Sequence, residues 1–266
     1  MKITGGRCLV GALVGAALTF GAPARADERL PLPLARRPLT LTRNTLRIDG
    51  SLVINRASVT VTSPLVGSVT ASSTTVGLNG GAGYGITDDL EAGAQVLPLV
   101  LSPDFAYGNP TVYGRFRFLR GDFEMGGELS AVIPVRGSFG LNVGLPMLLH
   151  IGEVGRLDTG VALGLVFGDS LGKTLAVPVA YSHNINPNIF FGARTGFVVP
   201  EFKFDALTVP LGVFGGYTLA GAGGNTPALD AFLGFDFPAF LTPGGASAVN
   251  ANIFTISAGI RYFLAL

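Results

Sequence analysis

Between Phe254 and Leu264 the chain alternates without a break. Phe254, Ile256, Ala258, Ile260, Tyr262 and Leu264 form one set, and Thr255, Ser257, Gly259, Arg261 and Phe263 the other. A period of two puts these sets on opposite faces of a β-strand. The first face is apolar throughout, more than a strand with one wet side requires. Arg261 calls for water on the second face. Lipid outside and a polar lumen inside is the environment of a transmembrane barrel strand.

The pattern recurs in twelve segments: roughly 45–55, 75–86, 90–99, 111–119, 123–134, 140–151, 157–167, 174–182, 189–199, 208–219, 229–237 and 253–264. Each is close to the roughly 9 to 11 residues that a tilted membrane strand needs. The outward sets, such as Val143, Leu145, Met147 and Leu149, carry no charge. The strand charges fall on the opposite register: Arg47, Asp49, Glu91, Arg115, Arg117, Glu124, Glu128, Asp158, Arg194, Asp230, Asp236 and Arg261. Arginine or lysine facing lipid at mid-depth would cost about 2–4 kcal/mol, so this segregation matters. The expected fold is all-β: an antiparallel up-and-down transmembrane β-barrel of about 12 strands, with 10 or 14 as the alternatives.

Composition closes off the other classes. Charged residues make up 13% of the chain, against about 25% in soluble domains. Glycine occupies 39 of 266 positions, about twice its usual share of about 7%. Such a chain would expose too much apolar surface in water. Beyond the N-terminal leader, no stretch approaches the roughly 18 to 20 apolar residues of a membrane helix. In lipid the backbone must satisfy its own hydrogen bonds, which leaves the closed barrel. Setting aside Lys2, Arg7 and Arg25 from 18 basic residues leaves 15 against 17 acidic ones. No basic stripe marks a nucleic-acid surface, and nucleic acid is not expected as a partner.

Residues 1–26 read as a secretory signal peptide, with Lys2 and Arg7 before the apolar run Leu9–Gly21 and an Ala24-Arg25-Ala26 cleavage site. Cys8, the single cysteine, lies ahead of that run. Lipidation is therefore not expected, and the exported chain would hold no disulfide or cysteine nucleophile. Residues 27–44 form a proline-rich, basic stretch with Pro31, Pro33, Arg36, Arg37 and Pro38. It reads as an extended periplasmic arm leading to the first strand, with a lumen plug or a contact with a periplasmic partner as alternatives. Residues 45–266 form the expected barrel.

The connections follow the alternation of short periplasmic turns and longer outer loops. The turns are placed at Thr87–Asp89, Arg120–Asp122, Gly152–Arg156 and His183–Asn188, all rich in turn-forming residues. Outer loops are expected at Asn55–Thr74, Val100–Pro110, Pro200–Leu207 and Pro238–Asn252. Val135–Phe139 is short for an outer loop and Ala220–Ala228 long for a turn. Val59, Val61, Leu65 and Val69, inside the first loop, are compatible with further strand. Outward aromatics such as Tyr84, Phe123, Tyr181, Tyr217 and Tyr262 would form one girdle, with Phe167, Phe197, Phe237 and Phe254 near the other rim.

Two short motifs resemble known families. Tyr84-Gly85-Ile86-Thr87-Asp88-Asp89-Leu90-Glu91-Ala92-Gly93 resembles a strand–turn–strand of many Gram-negative outer-membrane barrels, among them transporters encoded near aromatic-degradation genes. Gly259-Ile260-Arg261-Tyr262-Phe263-Leu264 resembles the terminal signal read by the barrel assembly machinery, except that Ala265-Leu266 replaces the usual final aromatic. The resemblance implies a place in the outer membrane, the assembly machinery and membrane lipid as partners, and passage of small solutes.

The sequence offers little chemistry. His150 falls on the lumen face and His183 at a turn, without a carboxylate pattern for a metal. Ser182 and His183 are adjacent on a strand and point to opposite faces, which rules them out as a nucleophile–base pair. Gly77, Gly81, Gly83 and Gly85 mark a cleared lumen wall or a place where another segment packs closely. No catalytic residue, metal or cofactor is expected. Arg115 and Arg117 face Glu124 and Glu128, either as a wall-stiffening ion-pair network or as a transverse field at a constriction.

The expected function is an outer-membrane channel or transporter with a narrow polar lumen. Arg47, Glu91, Arg115, Arg117, Glu124, Glu128, Arg194 and Arg261 are the candidate solute-binding residues. A closed barrel with a structural or surface-interaction role is the alternative, and an outer-membrane lipid hydrolase the third.

Overall fold

The structure, a computed structural model, describes residues 30–63, 67–135, 137–221, 224–242 and 249–266. The proposed signal peptide and Asp27–Arg29 lie outside the described residues, as does Leu65. Among the described residues, fourteen strands belong to one sheet. They are β1 (Thr45–Ser63), β2 (Gly67–Gly85), β3 (Leu90–Gln95), β4 (Leu99–Ser102), β5 (Ala106–Tyr107), β6 (Thr111–Leu119) and β7 (Phe123–Val132), followed by β8 (Phe139–Ile151), β9 (Gly155–Phe167), β10 (Leu171–Asn184), β11 (Ile189–Pro200), β12 (Val209–Ala220), β13 (Pro227–Leu241) and β14 (Ile253–Ala265). Twelve of them form an antiparallel ring in chain order, β1, β2, β3 and then β6 to β14, and β14 pairs back onto β1. Closure runs from Thr45 opposite Ala265 to Ala57 opposite Ile253. No strand edge is left open along this seam, as a lipid-embedded sheet demands.

All twelve expected strands are present, and their registers keep one set outward. Ile48 faces Tyr262 and Leu52 faces Ala258 on the outer side. Leu145, Val161, Val213, Leu233 and Ile260 are exposed there, Leu233 at 66%. A continuous belt of such residues would be an aggregation surface in water and is the normal outer wall in lipid. Tyr181, Phe191, Tyr217 and Tyr262 are exposed outward near the end that carries both ends of the barrel sheet. Phe235, Phe237 and Phe254 cluster near the other, with ring centroids 4.9 and 5.7 Å apart. Tight turns close the first end: Gly121 and Gly152 take the left-handed backbone, with φ of 126° and 61°. At the β10–β11 turn, Asn186 Oδ1 accepts from the Asn188 and Ile189 amides.

Two sequence boundaries are corrected. The stretch Asn55–Thr74, expected as an outer loop, continues both strands instead. Ser58–Ser63 pairs with Gly67–Ser72, beyond the residues of β1 that β14 reaches. The β-branched run Val59-Thr60-Val61-Thr62 sustains the ladder into a hairpin that stands past the barrel rim. The segment 90–99 is shorter than expected, because β3 ends at Gln95. The Val96 and Leu97 amides both donate to the Gly80 carbonyl, and Pro98, which has no amide to donate, follows. After it, β4 pairs with Val76–Leu78 and forms a small hairpin with β5.

Candidate functional site

Residues 30–43, which the sequence reading placed in a periplasmic arm, lie inside the ring. Leu30, Leu32, Ala35, Arg37, Leu39, Thr40, Leu41 and Thr42 are buried, Ala35 completely at 0% exposure. The segment takes one short 3₁₀ turn at Leu34–Arg36 and joins no strand of the sheet. A buried backbone that pairs with no strand still needs partners for its amides and carbonyls. Here the lumen wall supplies them. The Ala35 amide donates to Asn184 Oδ1 at 2.8 Å, and the Ala35 carbonyl lies 2.8 Å from His150 Nδ1. The Leu39 amide donates to Glu124 Oε2 at 2.8 Å and the Leu41 amide to Glu91 Oε2 at 3.0 Å. Arg115 Nη1 donates to the Leu39 carbonyl, and Arg156 Nη1 to that of Arg37.

The side chains of the segment add an anchor. The Arg37 guanidinium makes a bidentate pair with Asp230, at 2.6 and 2.9 Å, and donates to Thr218 Oγ1. Thr218 in turn donates to Asp230. Asp230 and Thr218 are fully buried, and Arg37 lies 5.1 Å from the Phe263 ring centroid. Phe263 packs with Leu30 and Leu41 in one small apolar cluster. A buried pair of this kind holds because each charge is fully hydrogen-bonded, and it becomes costly when one partner is removed. The long Ala220–Ala228 connection also has a use, since the Leu32 amide donates to the Asn225 carbonyl. Gly85 faces the carbonyls of Leu41 and Thr42 so closely that a Cβ would collide with them. Of the two readings of the β2 glycines, close packing of another segment holds at Gly85.

The candidate solute-binding residues divide in two. Glu91, Glu124 and Arg115 bind the main chain of the segment directly. Arg117 supports Glu124 and Asp89, at 3.0 Å each, and Glu128 pairs with Arg115. Arg47 donates to Asp49 at 2.9 Å and to the Tyr113 hydroxyl at 2.8 Å, beside Glu91. These six therefore build the plugged end of the lumen. Arg194 and Arg261 instead face a cavity of about 240 Å³ above the plug, with Leu34 in its lining.

That cavity contains residues the sequence reading did not single out as a site: Arg156, Ser182, Ser257, Phe190, Phe214 and Phe232. The rings sit on the lumen register, each opposite glycine on a neighbouring strand. Phe190 faces Gly216, Phe214 faces Gly192 and Gly234, and Phe232 faces Gly216 and Gly259. A Cβ at Gly192, Gly216 or Gly259 would collide with the ring that lies over it. Phe-x-Gly spacing on the lumen register was the available signal. Ser182 lies on the lumen face, whereas His183 lies among Tyr181 and Phe191 on the outer face.

Comparison with solved structures bears on the fold. An outer membrane channel from Pseudomonas putida F1 is 12% identical with a TM-score of 0.56, covering 85% of this chain and 97% of that one. The NanC porin is 9% identical with a TM-score of 0.54, covering 79% and 98%. The fold is that of outer-membrane channels. A deltaS2 mutant of the TodX monoaromatic hydrocarbon channel is 8% identical with a TM-score of 0.52, covering 89% and 93%. No family model matches the chain, and no curated protein matches it.

Proposed function

We propose that this protein is an outer-membrane channel for small solutes whose own N-terminal segment closes the lumen at the periplasmic end. One observation carries the reading. Residues 30–43 sit in the lumen without belonging to the sheet, held chiefly by wall side chains, so they can leave while every barrel ladder stays intact. The charged wall that receives the segment would then line an open polar path, and Glu91, Arg115, Glu124 and Glu128 would serve as solute contacts only in that state. Arg194 and Arg261 face the lumen cavity in both states. About twelve strands lie between the roughly 8 of a filled barrel and the 16 to 18 of a wide aqueous channel, so the open path would be narrow.

The plug also favours a second reading, a permanently closed barrel with a structural or surface-interaction role. Planar-bilayer recording of the refolded full-length exported chain separates the two. The channel reading predicts discrete openings interrupted by long closures. A correctly folded barrel that never conducts supports the second reading.

A further inference from the structure

The cavity above the plug has an uneven distribution of charge partners. Arg156 is bidentate with Asp158, at 2.6 and 2.7 Å, and Arg194 is bidentate with Asp236. Arg261 has no such partner. Its nearest carboxylate oxygen is Asp49 Oδ1, 3.7 Å from Nε, and Asp49 already accepts from Arg47 at 2.9 Å. Among the described residues the Arg261 guanidinium makes no hydrogen bond, and its side chain is 39% exposed to the lumen. It stacks on Phe232, 4.8 Å from the ring centroid. Phe214 carries Arg194 in the same way at 5.7 Å. The unfilled donors of Arg261 thus open into a space bounded by three phenylalanine rings and the Ser182 and Ser257 side chains.

We infer that this cavity binds a small organic carboxylate with a planar apolar body. A guanidinium fork matches a carboxylate bidentately, which a neutral ligand cannot reproduce. The three phenylalanines in the lining supply apolar surface to the rest of the ligand, and the cavity of about 240 Å³ accommodates one ring and its carboxylate. An inorganic anion would satisfy Arg261 and leave the rings unused. The Arg156–Asp158 and Arg194–Asp236 pairs engage their own guanidinium groups bidentately, which leaves Arg261, approached by Asp49 only at 3.7 Å, as the cation whose donors are free for a ligand. The inference deepens the channel reading by naming the class of solute, and it rests on that reading for its biological sense.

The test is calorimetric titration of the refolded, detergent-solubilised exported chain at low chloride, with benzoate, benzamide and inorganic phosphate as probes. The expected result is saturable binding of one benzoate per barrel, with benzamide and phosphate each at least tenfold weaker. Arg261→Gln should weaken benzoate at least tenfold, with folding verified by heat-modifiable gel mobility. Benzamide or phosphate binding as tightly as benzoate would overturn the inference, and this comparison needs only the wild-type chain. Unchanged benzoate affinity in folded Arg261→Gln would overturn it as well. Benzoate binding by a barrel that never conducts keeps the site and removes the channel. Conductance without benzoate binding does the reverse.

Discussion

Arg37 and Asp230 are separated by most of the chain, yet their pair is the strongest single tie between the plug and the wall. Asp230→Ala would leave a buried guanidinium without its anion, a loss on the order of 3–5 kcal/mol when one partner of a buried pair is removed. That loss falls on the seating of residues 30–43, since Asp230 is not otherwise needed for the ladder between β13 and its neighbours. The expected outcome is much faster proteolytic cleavage within residues 30–43 while the barrel keeps its heat-modifiable mobility. Equal cleavage rates in wild type and variant would count against the anchor. Glycine at the ring seats is a second residue-scale device. Gly259→Ala would push Phe232 off the wall, since the added methyl would overlap the ring. Overpacking of this kind costs about 1–3 kcal/mol, visible as a lower urea midpoint. Both features were hard to read in advance. Asp230 was legible as a lumen charge from its register, but no periodicity joins it to Arg37. Phe190, Phe214 and Phe232 were hidden because attention to the apolar outer face treats inward aromatics as exceptions.

The individual strands were the most legible level. Lipid imposes an uncompromising rule on one face, so Val143, Leu145 and Met147 announce β8 without help from any other segment. Leu145→Lys, at the middle of that strand's outer face, should lower barrel stability by about 2–4 kcal/mol in a lipid-bilayer unfolding titration. A negligible change would place Leu145 outside the hydrocarbon. Boundaries were less legible wherever the rule lapses. Past the rim, β1 and β2 continue because Val59 to Thr62 suits a ladder, not because lipid demands it. Among the described residues, Ser58 still donates its amide to the Asn252 carbonyl, and Val59–Ser63 pairs with Gly67–Ala71 alone. Replacing residues 59–71 with a two-residue turn should therefore leave the gel mobility and urea midpoint of the barrel nearly unchanged. A collapse of folding would mean that the projecting hairpin supports the β14 seam. The early end of β3 depended on Pro98 and on two amides sharing the Gly80 carbonyl, a detail no alternation encodes.

At the scale of the whole molecule, the wall and the plug are specified by different physics. The barrel follows from segregation of apolar and polar residues, repeated twelve times and closed on itself. The plug has no such pattern: its prolines and arginines resemble a solvated leader, and its backbone finds partners only once Glu91, Glu124, Asn184 and Arg115 are brought around it. For that reason the sequence reading favoured an arm outside the barrel, with the plug as an alternative. In the proposed channel the same charges would serve two ends, since residues that seat the segment would become the lining when it leaves. The most direct test is single-channel conductance of the full exported chain against a variant lacking residues 30–41, each in the same planar bilayer. The account predicts rare, interrupted openings for the full chain and sustained conductance at least severalfold greater in time average for the deletion. Equal time-averaged conductance from two correctly folded barrels would contradict it.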